Sequence, residues 1–288
     1  MRFATFFALI CFATVAGCRR QPTHARIDAA IAPLIPSNAN VLAGLRVDRL
    51  RQTPFFQTHV AGRKIKALES FRQTTGLDPA TDVWEVVLAS SPSGSLVFFR
   101  GKFGGEFGLE PRFDVPGMKR SNYKGYYILV KDSAAVLFLN SGVAIAGKVA
   151  DLQSVVDNRD KVGEIPPQDL IDKVETLPPS HAWLVARNPG TLVPAFAGSF
   201  SRNVNGAAAH ADLTKGVDAE LTAQYSSAEQ ARQARDTVRG AIALFRARAA
   251  QADAEMLRAL DAVQAESSES TLTVRVSAPM SLFDHLVR

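Results

Sequence analysis

Cysteine is nearly absent: Cys11 and Cys18 are the only two in 288 residues. That excludes a disulfide-built scaffold and any four-cysteine zinc or iron–sulfur site. The five histidines, His24, His59, His181, His210 and His285, never stand three or four residues apart, and neither HExxH nor HxH occurs. Metal ligation needs three or four converging donors, and no local stretch supplies even two. GxSxG is missing, as are GxxxxGK[ST] and GxGxxG, so neither a nucleophile elbow nor a phosphate cradle is readable. No apolar run reaches the roughly 20 residues that a membrane-spanning helix needs. Charge of one sign is also scarce. The 33 Lys and Arg against 28 Asp and Glu leave +5, too mild to demand a nucleic-acid partner. The sequence therefore assigns no metal, no cofactor and no nucleic acid.

What the chain does have begins at its start. Met1-Arg2 is followed by the apolar run Phe3 to Val15 and by the small residues Ala16 and Gly17 before Cys18. A basic start, a short apolar core and small residues at its end make a secretory signal peptide. Val15-Ala16-Gly17-Cys18 resembles the bacterial lipobox, in which an aliphatic and two small residues precede the lipidated cysteine. The resemblance implies a signal peptide at 1–17, cleavage before Cys18, a diacylglyceryl group on its sulfur and an acyl chain on its amino group. Two or three chains hold a protein on a membrane where one would not. Arg19, rather than Asp, follows the cysteine, which by the same resemblance points to the outer membrane. The expected location is a lipid-anchored position in the cell envelope, facing the periplasm or the cell surface. Cys11 leaves with the signal and Cys18 is blocked, so thiol catalysis goes too.

Residues 18–34 read as a tether and 35–165 as a first α+β half. A strand is expected at Val41 to Val47, and a helix capped by Asp48 runs through Leu50 and Phe55. A helical stretch from Pro54 to about Gln73 follows, then a hairpin over 82–103, β-rich runs at 126–130, 134–139 and 143–146, and a helix from Val149 to Asn158. Residues 166–288 read as a second half. It opens with a short helical piece at Leu170 to Val174. Leu177-Pro178 before the strand Ala182 to Val185 then parallels Ile35-Pro36 before Val41. A Gly/Ala-rich segment (190–210), a strand at Val217 to Tyr225, a long Ala/Arg-rich helix and the strand Ser270 to Val276 complete it. The expected fold is α+β: two similar halves of mostly antiparallel sheet covered by helices, possibly a diverged repeat.

Thr75-Gly76-Leu77-Asp78-Pro79-Ala80-Thr81-Asp82 and Tyr123-Lys124-Gly125-Tyr126 resemble motifs of an uncharacterised family of secreted bacterial proteins. With the Pro-containing strand entry at 35–47, the resemblance covers about 35–160. It implies turns and strands at these places and no activity, since the family has none agreed.

The most distinctive segment is Ala228 to Val263. Val238, Ile242, Phe245, Ala249, Ala252, Met256, Ala259 and Val263 follow 4-3 spacing, a heptad seam of nearly four repeats. Thirty-six residues of helix would span about 54 Å, too long for one layer of a small domain. The segment bends near Gln251 into a hairpin, projects as a partner-binding arm, or lies across the sheet as an Ala-rich amphipathic helix whose small residues permit close packing. Val238, Ile242, Phe245 and Met256 are therefore the candidate partner-binding residues, for another protein or a second copy. Ser121-Asn122-Tyr123-Lys124 matches the S-x-x-K nucleophile motif, but the strand-like Tyr126 to Val130 follows where a helix is needed, and the companion motifs are missing. Three readings follow: a non-enzymatic, lipid-anchored envelope protein with a protein partner; a binder of a small apolar ligand between the halves; and a hydrolase with a dispersed site. Cys18→Ala is expected to release the protein from the membrane fraction, and unchanged retention on washing refutes the anchor.

Overall fold

The computed structural model describes residues 23–63, 65–75, 78–104, 117–159, 165–189, 203–249 and 254–282. The signal peptide, Cys18, Gly76-Leu77 and most of the glycine-dense stretch after Phe103 lie outside them. In chain order the first half contributes β1 (Val41–Arg46), α1 (Val47–Leu50), α2 (Pro54–His59), α3 (Lys66–Thr75), β2 (Val83–Ser91) and β3 (Gly94–Gly101). It continues with β4 (Lys119–Tyr123), β5 (Tyr126–Lys131), β6 (Ala134–Asn140), β7 (Val143–Gly147) and α4 (Val149–Arg159). Then come α5 (Gln168–Glu175), β8 (Ala182–Arg187), β9 (Val204–Asp212) and β10 (Gly216–Tyr225). The chain ends with α6 (Ala228–Ala249), α7 (Ala254–Asp261), β11 (Val263–Ser268) and β12 (Thr271–Pro279).

All twelve strands form one antiparallel sheet, in the order β11-β12-β10-β9-β8-β1-β2-β3-β7-β6-β5-β4. The α+β class stands. Reading outward from the centre, each half lays down its first three strands and then its last: β1-β2-β3-β7 on one side, β8-β9-β10-β12 on the other. The halves are joined by β1 and β8, with Leu42 opposite Val185 and Gly44 opposite Trp183.

Strand alternation then decides what each face does. On one face, Leu42, Val87, Phe98, Ile145 and Val185 are fully buried. They lie under Leu152, Val155 and Val156 of α4 and Leu170, Ile171 and Val174 of α5. Ile27, Ile31 and Ile35 complete this cover. Residues 25–34, read from sequence as part of a tether, are thus a strap bound to the sheet. Ala25 N–H donates to Leu177 O at 2.9 Å, and Ile31 is fully buried. Each buried isoleucine contributes roughly 1.5–3 kcal/mol, enough to hold the strap down. The opposite face has a second core in the first half, around Phe99, Phe103, Leu129 and Phe138. In the second half Ala231 and Ala234 of α6 sit on Ala223, Tyr225 and Leu272.

Several local readings needed correction. Asp48 does not cap α1; Arg46 stands at the cap position and Asp48 pairs with its guanidinium at 2.8 Å. The stretch from Pro54 is two helices rather than one, parted at Gly62, whose φ of +73° no continuing helix adopts. Thr53 supplies the real cap, accepting from Phe56 N–H. α7 packs back against α6, as the hairpin alternative required. The heptad seam does not stay helical to the end, because Val263 opens β11.

Gly44 marks a very close contact at the junction of the halves. The Trp183 indole lies flat across it, so a Cβ there would fall inside the ring. Gly44→Ala is expected to cost about 3 kcal/mol, in the overpacking range. Gly206→Ala, whose Cβ would meet only Ala186 O at 3.5 Å, is expected to be near neutral. Urea unfolding of the two variants distinguishes them.

Candidate functional site: the open face of the central sheet

The sheet's second face is covered at both ends and open in the middle. Two rows of cross-strand neighbours run through the gap. Leu88, Ala43, Leu184, Ala209, Leu221 and Val274 form one. Val86, Leu45, Ala182, Ala211, Ala219 and Val276 form the other. Every one of the twelve is apolar and half-buried. Together they line an open trough of about 530 Å³. Five of the twelve are alanine, and those short side chains create the depth. At about 4.8 Å between strands, six strands make the trough about 24 Å long, the length scale of an extended acyl chain.

The other face of the same strands shows what full cover looks like. Leu42, Val87 and Val185 alternate with the trough residues and are completely buried. Farther along, at β10, β12 and β11, that face is polar. Arg275 bridges Glu220 at 2.6 Å and Glu266 at 3.5 Å across three neighbouring strands. A polar outer face is ordinary for an antiparallel sheet. An open apolar one is not, because monomers rarely leave a contiguous apolar surface uncovered.

No protein-family model matches the chain, and no curated protein matches it. Solved structures do. Crystal form I of TP0453 superposes with a TM-score of 0.52 at 11% identity, over 89% of this chain and 95% of that one. Form III gives 0.50 at 11% identity, over 89% and 97%. The chain shares the fold of TP0453. At that identity the likeness concerns fold and carries no residue across.

The sequence-derived candidates fall in scattered places. Val238 packs against the core under α6, and Ile242 lines a crevice against β11. Phe245 points outward, 55% exposed, beside Leu244 at 52%. Met256 is half-buried on α7, which the Arg246–Asp261 ion pair ties back to α6. The four do not form one outward seam. Ser121 lies on the edge strand β4 and Lys124 in the β4–β5 turn, where Lys124 and Gly125 both take positive φ, as a type I′ hairpin turn demands. Lys124 Nζ is ion-paired with Asp157 at 2.7 Å, so it is no neutral base for Ser121. His181 accepts from Leu213 N–H at 3.0 Å through Nδ1. Burial pushes its pKa down against the pull of Asp212, which keeps it a neutral structural group. Among the described residues no three His, Cys, Asp or Glu converge as a metal site.

Sequence reasoning missed two features. Ala209 and Ala211 sit on β9, whose Val-Asn-Gly-Ala-Ala-Ala-His-Ala-Asp sequence has low strand propensity and no apolar alternation. The second is Glu85, a lone acid in an apolar strand and only 2% exposed. It lies on the covered face between register partners Arg46 and Arg100. Its Oε2 accepts from Asp28 N–H at 3.3 Å, and Asp28 also pairs with Arg100 at 3.4 Å, so the cluster pins the strap. Burial raises the Glu85 pKa from 4.5 to about 7, against the pull of Arg46 and with a further push from Asp28. A carboxyl whose folded pKa is raised binds an extra proton in the native state. Stability therefore falls as pH rises from about 4.5 to about 7. Glu85→Gln, uncharged throughout, is expected to flatten that slope in denaturant midpoints measured across this range. An unchanged slope places the titrating group elsewhere.

Proposed function

We propose that this is a non-enzymatic, lipid-anchored protein of the cell envelope that binds a single apolar chain, such as a fatty acyl group, across its central sheet. The observation that carries the reading is the trough: twelve half-buried apolar side chains in two unbroken rows, spanning the junction of the two halves. Ligand sites are concave and mostly apolar, in the range of roughly 300–1,000 Å³, and often lie where two units meet. The position of Cys18 after a short apolar run supports the anchored part of the reading, and an acyl ligand is chemically at home beside a membrane. A hydrolase is disfavoured by the ion pair that occupies Lys124.

Filling the trough tests the binding. Ala209→Phe with Ala219→Phe places two rings on the floor without touching the buried face. A fluorescent fatty acid is expected to bind the native chain and to bind this variant at least about tenfold more weakly, since each ring removes room for several methylenes at about 0.8 kcal/mol apiece. Equal binding by both, with unchanged circular dichroism, rules the trough out as the site.

A further inference from the structure

The whole net charge of the chain is concentrated in one short stretch. Residues 46–72 carry seven Arg and Lys against two acids, Asp48 and Glu69, a net of +5 that equals the formal charge of the entire sequence. Part of this charge is used internally. Arg46 is paired with Asp48, and Arg51 donates to the carbonyls of Pro79 and Val83. The remainder faces water: Arg63, Lys66 and Arg72 are exposed, and among the described residues none has an ion pair. Arg49 is half-buried on α1.

The helix beside these charges carries half-buried apolar residues that lie outside the three buried cores of the described residues. Ile65, just before α3, and Leu68 on it share one side by helical spacing; Arg72, four residues after Leu68, lies on that same side, and Lys66 lies across from it. None of its described side chains belongs to the three buried cores. A leucine with an arginine one turn on, flanked by further exposed cations, fits a membrane interface, where apolar groups enter the headgroup boundary and cations meet phosphates.

Chain geometry brings this lobe beside the anchor. The strap first meets the body at Ala25, and the next residue, exposed Arg26, is close enough to Arg49 of α1 to repel it. Six residues separate Cys18 from Ala25. Even fully extended they reach only about 25 Å. A lipidated Cys18 would therefore hold Ala25 within that distance of the bilayer, with Arg26 and the neighbouring Arg49 of α1 just beyond it.

We propose that the α1–α3 segment is a lipid-surface contact that seats on anionic phospholipid headgroups next to the anchor. This deepens the anchored reading and rests on it. The ligand chemistry is the phosphodiester of an anionic lipid, with Arg63, Lys66 and Arg72 as its contacts and Ile65 and Leu68 entering the interface.

The test uses the full-length chain on phosphatidylcholine vesicles with and without phosphatidylglycerol. The native protein is expected to favour the anionic vesicles and to lose that preference as salt rises. Neutralising the three exposed cations together (R63Q, K66Q, R72Q) is expected to reduce the preference about a hundredfold, each cation near a charged surface being worth about a fivefold step. Neutralising two exposed arginines of α6 (R232Q, R248Q) is expected to leave it unchanged. An unchanged preference in the α3 set, or an equal loss in the α6 set, overturns the proposal. Competition by heparin as effective as that of anionic vesicles also overturns it, in favour of a general polyanion site. The anchor is read separately, because a Cys18→Ala chain that stays membrane-bound in cells refutes the lipid anchor without altering the vesicle preference.

Discussion

The pairing of β1 with β8 is the constraint on which the architecture depends. Each half ends in a strand that needs a partner, and the two central strands satisfy each other, with Gly44 yielding its side-chain space to the Trp183 indole. An exposed ladder edge in either half would leave a row of unpaired amides and carbonyls. Joined, they make one continuous surface of twelve strands. The trough exists only because that surface is continuous, since its rows run from β2 through the junction to β12.

Cover on the two faces is unequal, and the inequality has a simple source. The strap, α4 and α5 all pack on one side, bringing isoleucine, leucine and valine at helical spacing onto the sheet. Among the described residues the other side has Val47, Phe103 and Met118 at the first-half end and α6 over the outermost strands of the second half. Its small contact residues, Ala231 and Ala234, let it lie close to the sheet there. Nothing among the described residues reaches the middle. The buried Glu85 belongs to the same division of labour: it holds the strap's Asp28 from below at the expense of an unsatisfied oxygen, Oε1. Such a group is tolerated where two arginines flank it and would be costly elsewhere.

Strong local signals were legible in the sequence. Val41 to Arg46, the hairpin around Ser91 to Gly94, α4, α5 and the alternation of Leu272, Val274 and Val276 all follow from apolar periodicity and turn chemistry. Three strands were not legible. β4 is Lys-Arg-Ser-Asn-Tyr, polar throughout because it is an edge. β9 holds four alanines in nine residues, a run that reads as loop or helix and becomes strand only because β8 and β10 flank it. β11 was absorbed into the heptad seam, since Val263 and Ala259 keep helical spacing across a real boundary. The trough was illegible for the same reason as β9. It is a property of neighbouring strands, and no single segment announces it.

The edge strands have a consequence for how copies of the protein coexist. An open sheet, unlike a barrel, keeps two flanks along which another molecule can add. One flank here is β4, with Lys119 and Arg120 exposed at its start. The other is β11, where Arg239 of α6 already occupies the Ala265 carbonyl at 2.9 Å. The two flanks differ in how they meet another copy: one repels its own likeness by charge, and the other has an acceptor already taken. Growth of the sheet from molecule to molecule is thereby discouraged without closing it.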